Sequence, residues 1–141
     1  MQQKVSGLNE TEKLAKQFAT SLKPGDVVVL HGDLGAGKTT FTQFVFKALG
    51  VKESVTSPTF AILKTYQGKD CLLHHFDAYR ITDEEAIEAG FDEIIAEPNS
   101  IKFIEWSDNI SALLPDNLRK VNIKYLDETS RIFEIEWIHL L

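Results

Sequence analysis

"HGDLGAGKTTF" (31–41) decides how this chain folds. Glycines at 32, 35 and 37 stand just ahead of Lys38, Thr39 and Thr40. The run before it, "DVVVL" (26–30), is apolar and of strand length. After it, Phe41, Phe44, Val45 and Ala48 recur at i, i+3, i+4 and i+7, the spacing of a helix that Gly50 then ends. Residues 32–39 therefore satisfy G-x-x-x-x-G-K-[ST] between a strand and a helix, the context that gives the pattern its meaning.

Each residue type has a physical task. Positions without a Cβ let the backbone turn successive N–H groups inward as a cradle for phosphate oxygens. The helix that follows adds its own free N–H groups and the positive end of its dipole. Lys38 brings a full charge to the β- and γ-phosphates, and Thr39 offers a hydroxyl to Mg²⁺. The candidate nucleotide-binding residues are thus Gly32, Asp33, Leu34, Gly35, Ala36, Gly37, Lys38, Thr39 and Thr40, with Lys38 also a catalytic candidate.

Mg²⁺ needs an acidic partner at the end of a neighbouring strand. Asp77 ends "CLLHHFD" (71–77) and Glu105 ends "IKFIE" (101–105). Both stand where an open α/β sheet gathers its ligand, and at least one should face the metal. His74 and His75 are adjacent, so on a strand they point to opposite faces and share no metal. His75 lies on the face of Asp77, as a satisfied polar residue of the sheet or as support for the site. Thr56, Ser57 and Thr59 form a hydroxyl-rich loop that reads first as a plain turn and second as a switch closing on a γ-phosphate. Trp106 reads as core or as pocket lining, and Trp137 reads as core.

Working outward, "NETEKLAKQFATSL" (9–22) predicts a first helix capped by Asn9 and Glu12, with Leu14, Phe18 and Leu22 on its buried face. "FAILKTY" (60–66) and "CLLHHF" (71–76) predict a hairpin across "QGKD". Thr82 and Glu85 open a short helix that ends at Gly90. "VNIKY" (121–125) and "IFEIEWI" (132–138) predict a second hairpin with one face on the core. The expected fold class is α/β: a P-loop NTPase-like central sheet flanked by helices, with antiparallel strands and a C-terminal hairpin.

The bulk properties restrict the alternatives. The 141 residues are one domain's worth (1–141). A formal charge of −6, with Arg80, Arg119 and Arg131 the only arginines, argues against strong direct binding of nucleic acid. The N-terminus lacks the apolar run of a secretory signal, no window is apolar enough for a membrane span, and Cys71 is alone. These features predict a cytoplasmic protein with no membrane association.

Four stretches in order, "GDLGAGKTT" (32–40), "SPTF" (57–60), "HFDAYR" (75–80) and "IEW" (104–106), make the chain resemble the TsaE family, small bacterial ATPases of tRNA threonylcarbamoyladenosine biosynthesis. The resemblance implies ATP or ADP with Mg²⁺ as cofactors, slow turnover by the chain alone, and a TsaD–TsaB heterodimer as partner. It implies Lys38 and Thr39 as phosphate and Mg²⁺ contacts and Glu105 as the second protein ligand of the metal. Asp77 becomes the residue that orients water or supports the metal, Thr59 the switch hydroxyl and Trp106 a pocket neighbour. Thr11 and Arg131 approach the adenine end. Ser107 departs from the family's frequent proline after Glu-Trp, and Lys102 interrupts an otherwise apolar strand.

Other uses of a P-loop remain to be weighed. A small-molecule kinase usually needs more arginines and a lid. A GTPase is disfavoured because the chain has no Asn-Lys-x-Asp stretch. A non-hydrolysing, nucleotide-dependent assembly factor uses the same residues as the ATPase.

Overall fold

The computed structural model describes residues 1–33, 35–56 and 62–139. In chain order the elements are β1 (Gln2–Ser6), α1 (Gly7–Thr20), β2 (Val27–Gly32), α2 (Lys38–Ala48), β3 (Leu63–Gln67) and β4 (Leu72–Asp77). There follow α3 (Asp83–Glu88), α4 (Phe91–Ala96), β5 (Ser100–Glu105), a 3₁₀ segment (Ser107–Leu113), β6 (Asn117–Tyr125) and β7 (Ser130–His139). The strands form one seven-stranded sheet in the order β1-β7-β6-β2-β5-β4-β3. Its centre, β6-β2-β5-β4, is parallel, and β7, β1 and β3 add to it antiparallel.

Alternation along β2 divides the core. Val28 and Leu30 pack with Phe18 of α1, Phe41, Val45 and Phe46 of α2, and Phe103 of β5. Val27 and Val29 turn to the other face, with Phe76, Ala86, Ile95 and Ile104 beneath α3 and α4. A strand buried on both faces reads as an unbroken apolar run, which is why "VVVL" shows no alternation. The predicted hairpins form, β3 with β4 and β6 with β7. So does the Thr82–Glu85 capping box. No helix among the described residues is long and apolar enough to cross a membrane.

Three expectations are corrected. The first helix begins at Gly7 with Ser6 in the capping position, so Asn9 lies inside it and the predicted capping box does not form. The start is set by tertiary pairing. β1 lies along β7, Gly7 N–H donates to the Thr129 carbonyl at 2.7 Å, and Ser6 N–H donates to Glu10 Oε1 at 3.0 Å. On α2, Ala48 is exposed and Phe46 is wholly buried. The Phe46 ring meets Phe103 at 5.0 Å and Tyr66 at 5.7 Å, so aromatic side chains of β5 and β3 draw that flank of the helix into the core. Trp137 is 51% exposed rather than core. The Arg119 guanidinium lies 4.4 Å from its ring centroid and Lys23 Nζ 5.2 Å, so cations cover the aromatic face where apolar packing was expected.

Truncating Phe46 to alanine should cost about 3–5 kcal/mol in urea unfolding, whereas Asn9→Ala should stay within about 0.5 kcal/mol. A second prediction concerns His74, buried on the α3–α4 face with Nδ1 2.8 Å from Thr65 Oγ1. Burial lowers its pKa below the ordinary 6.5, Lys102 adds to the shift and Glu97 opposes it. The folded chain therefore prefers the neutral ring. Its contribution is full above about pH 6.5 and is lost as pH falls toward the lowered folded value, because the unfolded chain takes the proton first. Between about pH 7.5 and 5.5 the urea midpoint should fall less in His74→Gln than in the unsubstituted protein.

Candidate functional site at the glycine turn

β2 runs into Gly32, whose φ is +151°. A Cβ there would stand 2.7 Å from the Ile123 carbonyl of β6, so only glycine lets the two strands keep their register. Gly35 and Gly37 are left-handed, at φ +82° and +109°, and Gly37 immediately precedes the first helical residue, Lys38. Between them Ala36 is buried. Its N–H donates to the Asp33 carbonyl at 3.0 Å and its own carbonyl accepts from Arg131 Nε at 2.9 Å. Asp33 is exposed, and Thr39 and Thr40 are half-buried in the first turn of α2. That turn carries no acidic side chain, so nothing on the helix itself neutralises its positive end.

Lys38 is buried at the mouth of this turn. Its Nζ donates to the Gly32 carbonyl at 2.9 Å, lies 3.9 Å from Glu105 Oε1 and sits 4.2 Å from the Trp106 ring centroid. Trp106 holds a left-handed φ of +59°, unusual for a side chain of that size, and its ring packs against Tyr79 at 4.9 Å. Glu105 is buried at the end of β5 and accepts from His75 Nε2 at 2.7 Å.

The register places Asp77 directly opposite Glu105 across β4 and β5. The two carboxylates nonetheless have different surroundings. Glu105 is the one paired with Lys38, whereas Asp77 is half-buried and its Oδ1 accepts the Tyr79 N–H at 3.0 Å. Asn109 Nδ2 donates to the carbonyls of Ala78 and Tyr79, both at 2.9 Å, and fastens that turn to the 3₁₀ segment. Ser107 lies with its Oγ 3.5 Å from His31 Nε2. Burial, aided by Lys120 and Lys38 and opposed by Asp108, lowers the His31 pKa.

Beside the turn opens a cleft of about 220 Å³. It brings Thr11, from the first turns of α1, and Arg131, from the start of β7, together with Ala36, Gly37 and Thr40. Gly7, Leu8, Glu128, Thr129 and Phe133 also line it. None of these five was singled out by sequence, since they meet only through the pairing of β1 with β7. Leu34 and Thr59 lie outside the described residues. The segment leading to Thr59 is anchored: Gln43 Nε2 donates to the Val55 carbonyl at 2.6 Å, and Lys64 Nζ donates to Thr56 Oγ1.

No group of three or more His, Cys, Asp or Glu side chains is gathered among the described residues. The two metal ligands implied by the resemblance, the Thr39 hydroxyl and the Glu105 carboxylate, would be a small, all-oxygen donor set. Such a set suits a hard cation that arrives with phosphate oxygens and keeps its waters, as Mg²⁺ does.

A family profile described as threonylcarbamoyl adenosine biosynthesis protein TsaE matches residues 5–133. The chain is similar to the tRNA threonylcarbamoyladenosine biosynthesis protein TsaE of Rickettsia felis, 44% identical over 89% of this chain and 74% of that protein. To the protein of the same name from Bacillus subtilis it is 41% identical, over 86% and 76%. The crystal structure of Bacillus subtilis YdiB superposes with a TM-score of 0.82 at 33% identity, covering 98% of this chain and 85% of that one. The sheet and its flanking helices are thus P-loop NTPase-like.

Two glycines of one loop should respond differently to a methyl group. Gly35→Ala meets nothing within 4 Å and should lose only the left-handed strain, about 1–2 kcal/mol. Gly32→Ala must also push β6 aside, so its urea midpoint should fall clearly further than that of Gly35→Ala.

Proposed function

The chain belongs to the TsaE family, and from that premise we propose that it binds ATP and ADP with Mg²⁺, hydrolyses ATP slowly, and serves with a TsaD–TsaB heterodimer in forming threonylcarbamoyladenosine next to the anticodon of tRNA. The observation that carries the ATPase reading is the buried Lys38, set behind two left-handed glycines with the Glu105 carboxylate 3.9 Å away. A buried ammonium needs partners, and here it borrows a carbonyl of its own loop and a ring face. Phosphate oxygens are better partners for it than either.

In this reading the phosphates lie over the N–H groups of residues 35–40, and adenine enters the cleft between Thr11 and Arg131. Arg131 acts through the backbone as well, since its bond to the Ala36 carbonyl holds the loop open for the phosphates. Thr39 and Glu105 would hold Mg²⁺, which when bound neutralises charge on the phosphate oxygens. Lys38 balances the negative charge that develops as the γ-phosphoryl leaves. Asp77, beside Glu105 yet free of Lys38, orients the attacking water or supports the metal. Thr59 is the switch hydroxyl, and Trp106 walls the pocket. The charge of −6 suits a cytoplasmic chain that meets other proteins rather than gripping tRNA.

The test is steady-state ATP hydrolysis by the purified chain, alone and with TsaD–TsaB. Low activity alone should rise with the partners. Lys38→Ala should abolish binding, and Glu105→Gln should keep much of the nucleotide affinity while losing at least about 100-fold in turnover. Nucleotide binding with no hydrolysis in either condition would leave a nucleotide-gated assembly factor instead. Unchanged turnover of Asp77→Ala within the complex would remove Asp77 from the chemistry.

A further inference from the structure

One fully buried polar side chain lies behind the site. His75 is fully enclosed, with Phe46 of α2 against its ring at 6.0 Å between centroids. Its Nε2 lies 2.7 Å from Glu105 Oε2, and its Nδ1 has no hydrogen-bond partner among the described residues. The other oxygen of the same carboxylate, Oε1, is the one 3.9 Å from Lys38. The four groups form a line from the core to the loop: imidazole, carboxylate, ammonium, and the Gly32 carbonyl that the ammonium also holds.

Register explains why the line is directional. His75 pairs with Phe103 and Asp77 pairs with Glu105, so the imidazole reaches Glu105 on the diagonal, from one step back along β4. A glutamate at a strand end, beside a second carboxylate, has several rotamers open to it. The bond from His75 occupies Oε2 and leaves Oε1 turned to Lys38. The unpartnered Nδ1 also decides the tautomer. A hydrogen on Nδ1 would be a buried donor without an acceptor, and would set a nitrogen lone pair against Oε2. The hydrogen therefore resides on Nε2, and the ring donates it to Glu105.

We infer that His75 is a positioning residue: it holds Glu105 in the rotamer that presents Oε1 to the Lys38–Thr39 end of the glycine loop, and so sets the affinity for the nucleotide-bound metal. This rests on the reading above in which Glu105 and Thr39 hold Mg²⁺. Groups that hydrogen-bond a metal ligand from behind typically account for 10- to 100-fold in metal affinity.

The test uses the full chain and two substitutions. His75→Gln keeps an N–H near the position of Nε2, whereas His75→Leu fills the space without a donor. Affinity for a non-hydrolysable ATP analogue is titrated in EDTA and then against MgCl₂, with thermal melts as the check on folding. The MgCl₂ midpoint should rise about 10-fold or more in His75→Leu and return to within about threefold of the parent in His75→Gln, with affinity in EDTA nearly unchanged in both. A second measurement needs no substitution. In the nucleotide-free parent protein, the imidazole ¹⁵N spectrum should show His75 protonated at Nε2, and that resonance should shift when MgCl₂ joins the nucleotide complex.

Equal MgCl₂ midpoints in parent and His75→Leu would overturn the inference. So would a matching loss of affinity in EDTA, or a proton found on Nδ1. A parent chain that binds no nucleotide overturns the functional reading itself, whereas Mg²⁺-dependent binding that ignores His75 overturns this inference alone.

Discussion

The approach of the Gly32 Cα to the Ile123 carbonyl constrains the rest of the molecule. A Cβ at that point would stand 2.7 Å from the oxygen, inside contact distance, so β2 and β6 can lie parallel in this register only over glycine. Once β6 is beside β2, the chain must return antiparallel as β7, and the return delivers Arg131 to the Ala36 carbonyl. One close backbone contact thus fixes both the width of the sheet beside the glycine turn and the clamp that holds the turn's shape. The cleft lined by Thr11 and Arg131 lies on the same side of the sheet, where β1 pairs with the outer side of β7.

Electrostatics at the carboxyl ends of the strands answer a second constraint. An ammonium buried at a helix N-terminus meets a positive dipole and little water, both unfavourable. The structure compensates with a carbonyl, a carboxylate and an indole face around Lys38. The partners come from two places in the chain, Gly32 from the end of β2 and Glu105 with Trp106 from the end of β5. Trp106 reaches its position through a left-handed backbone, which for a bulky residue stores strain that the surrounding packing must hold.

Local signals carried the centre of the fold. The strand, the glycine turn and α2 are contiguous and each announces itself by residue type, and Thr82 with Glu85 forms its capping box as sequence suggests. Where a residue's role is set by a distant segment, the local signal misled. Asn9 and Glu12 fit a capping box, yet the helix starts earlier because Ser6 and Gly7 are already tied to Ser130 and Thr129. Phe44 fits the helical stripe better than Phe46, yet Phe46 is the buried one, since Tyr66 and Phe103 rise along its flank. Trp137 looks like core by type and alternation, but at that end of the sheet the neighbours are Arg119 and Lys23 rather than a covering helix. In the site, Asp77 and Glu105 were indistinguishable by spacing. Their difference is a matter of which carboxylate meets Lys38, a contact between residues 38 and 105 that no local pattern encodes.

The same division separates the two halves of the site. The phosphate side of the proposed site is written within nine residues, because backbone N–H groups and one lysine suffice for anions and need only a particular curl of the chain. The base side of the proposed site is the cleft that sets Gly7 and Thr11 against Thr129 and Arg131, brought together by the pairing of β1 with β7. Arg131 links the halves: its carbonyl contact at Ala36 makes the shape of the phosphate loop depend on the strand that builds the other side. Closure of the outer strands and order in the glycine turn are therefore coupled, and any ligand that fills both halves at once stabilises the edge of the sheet along with its centre.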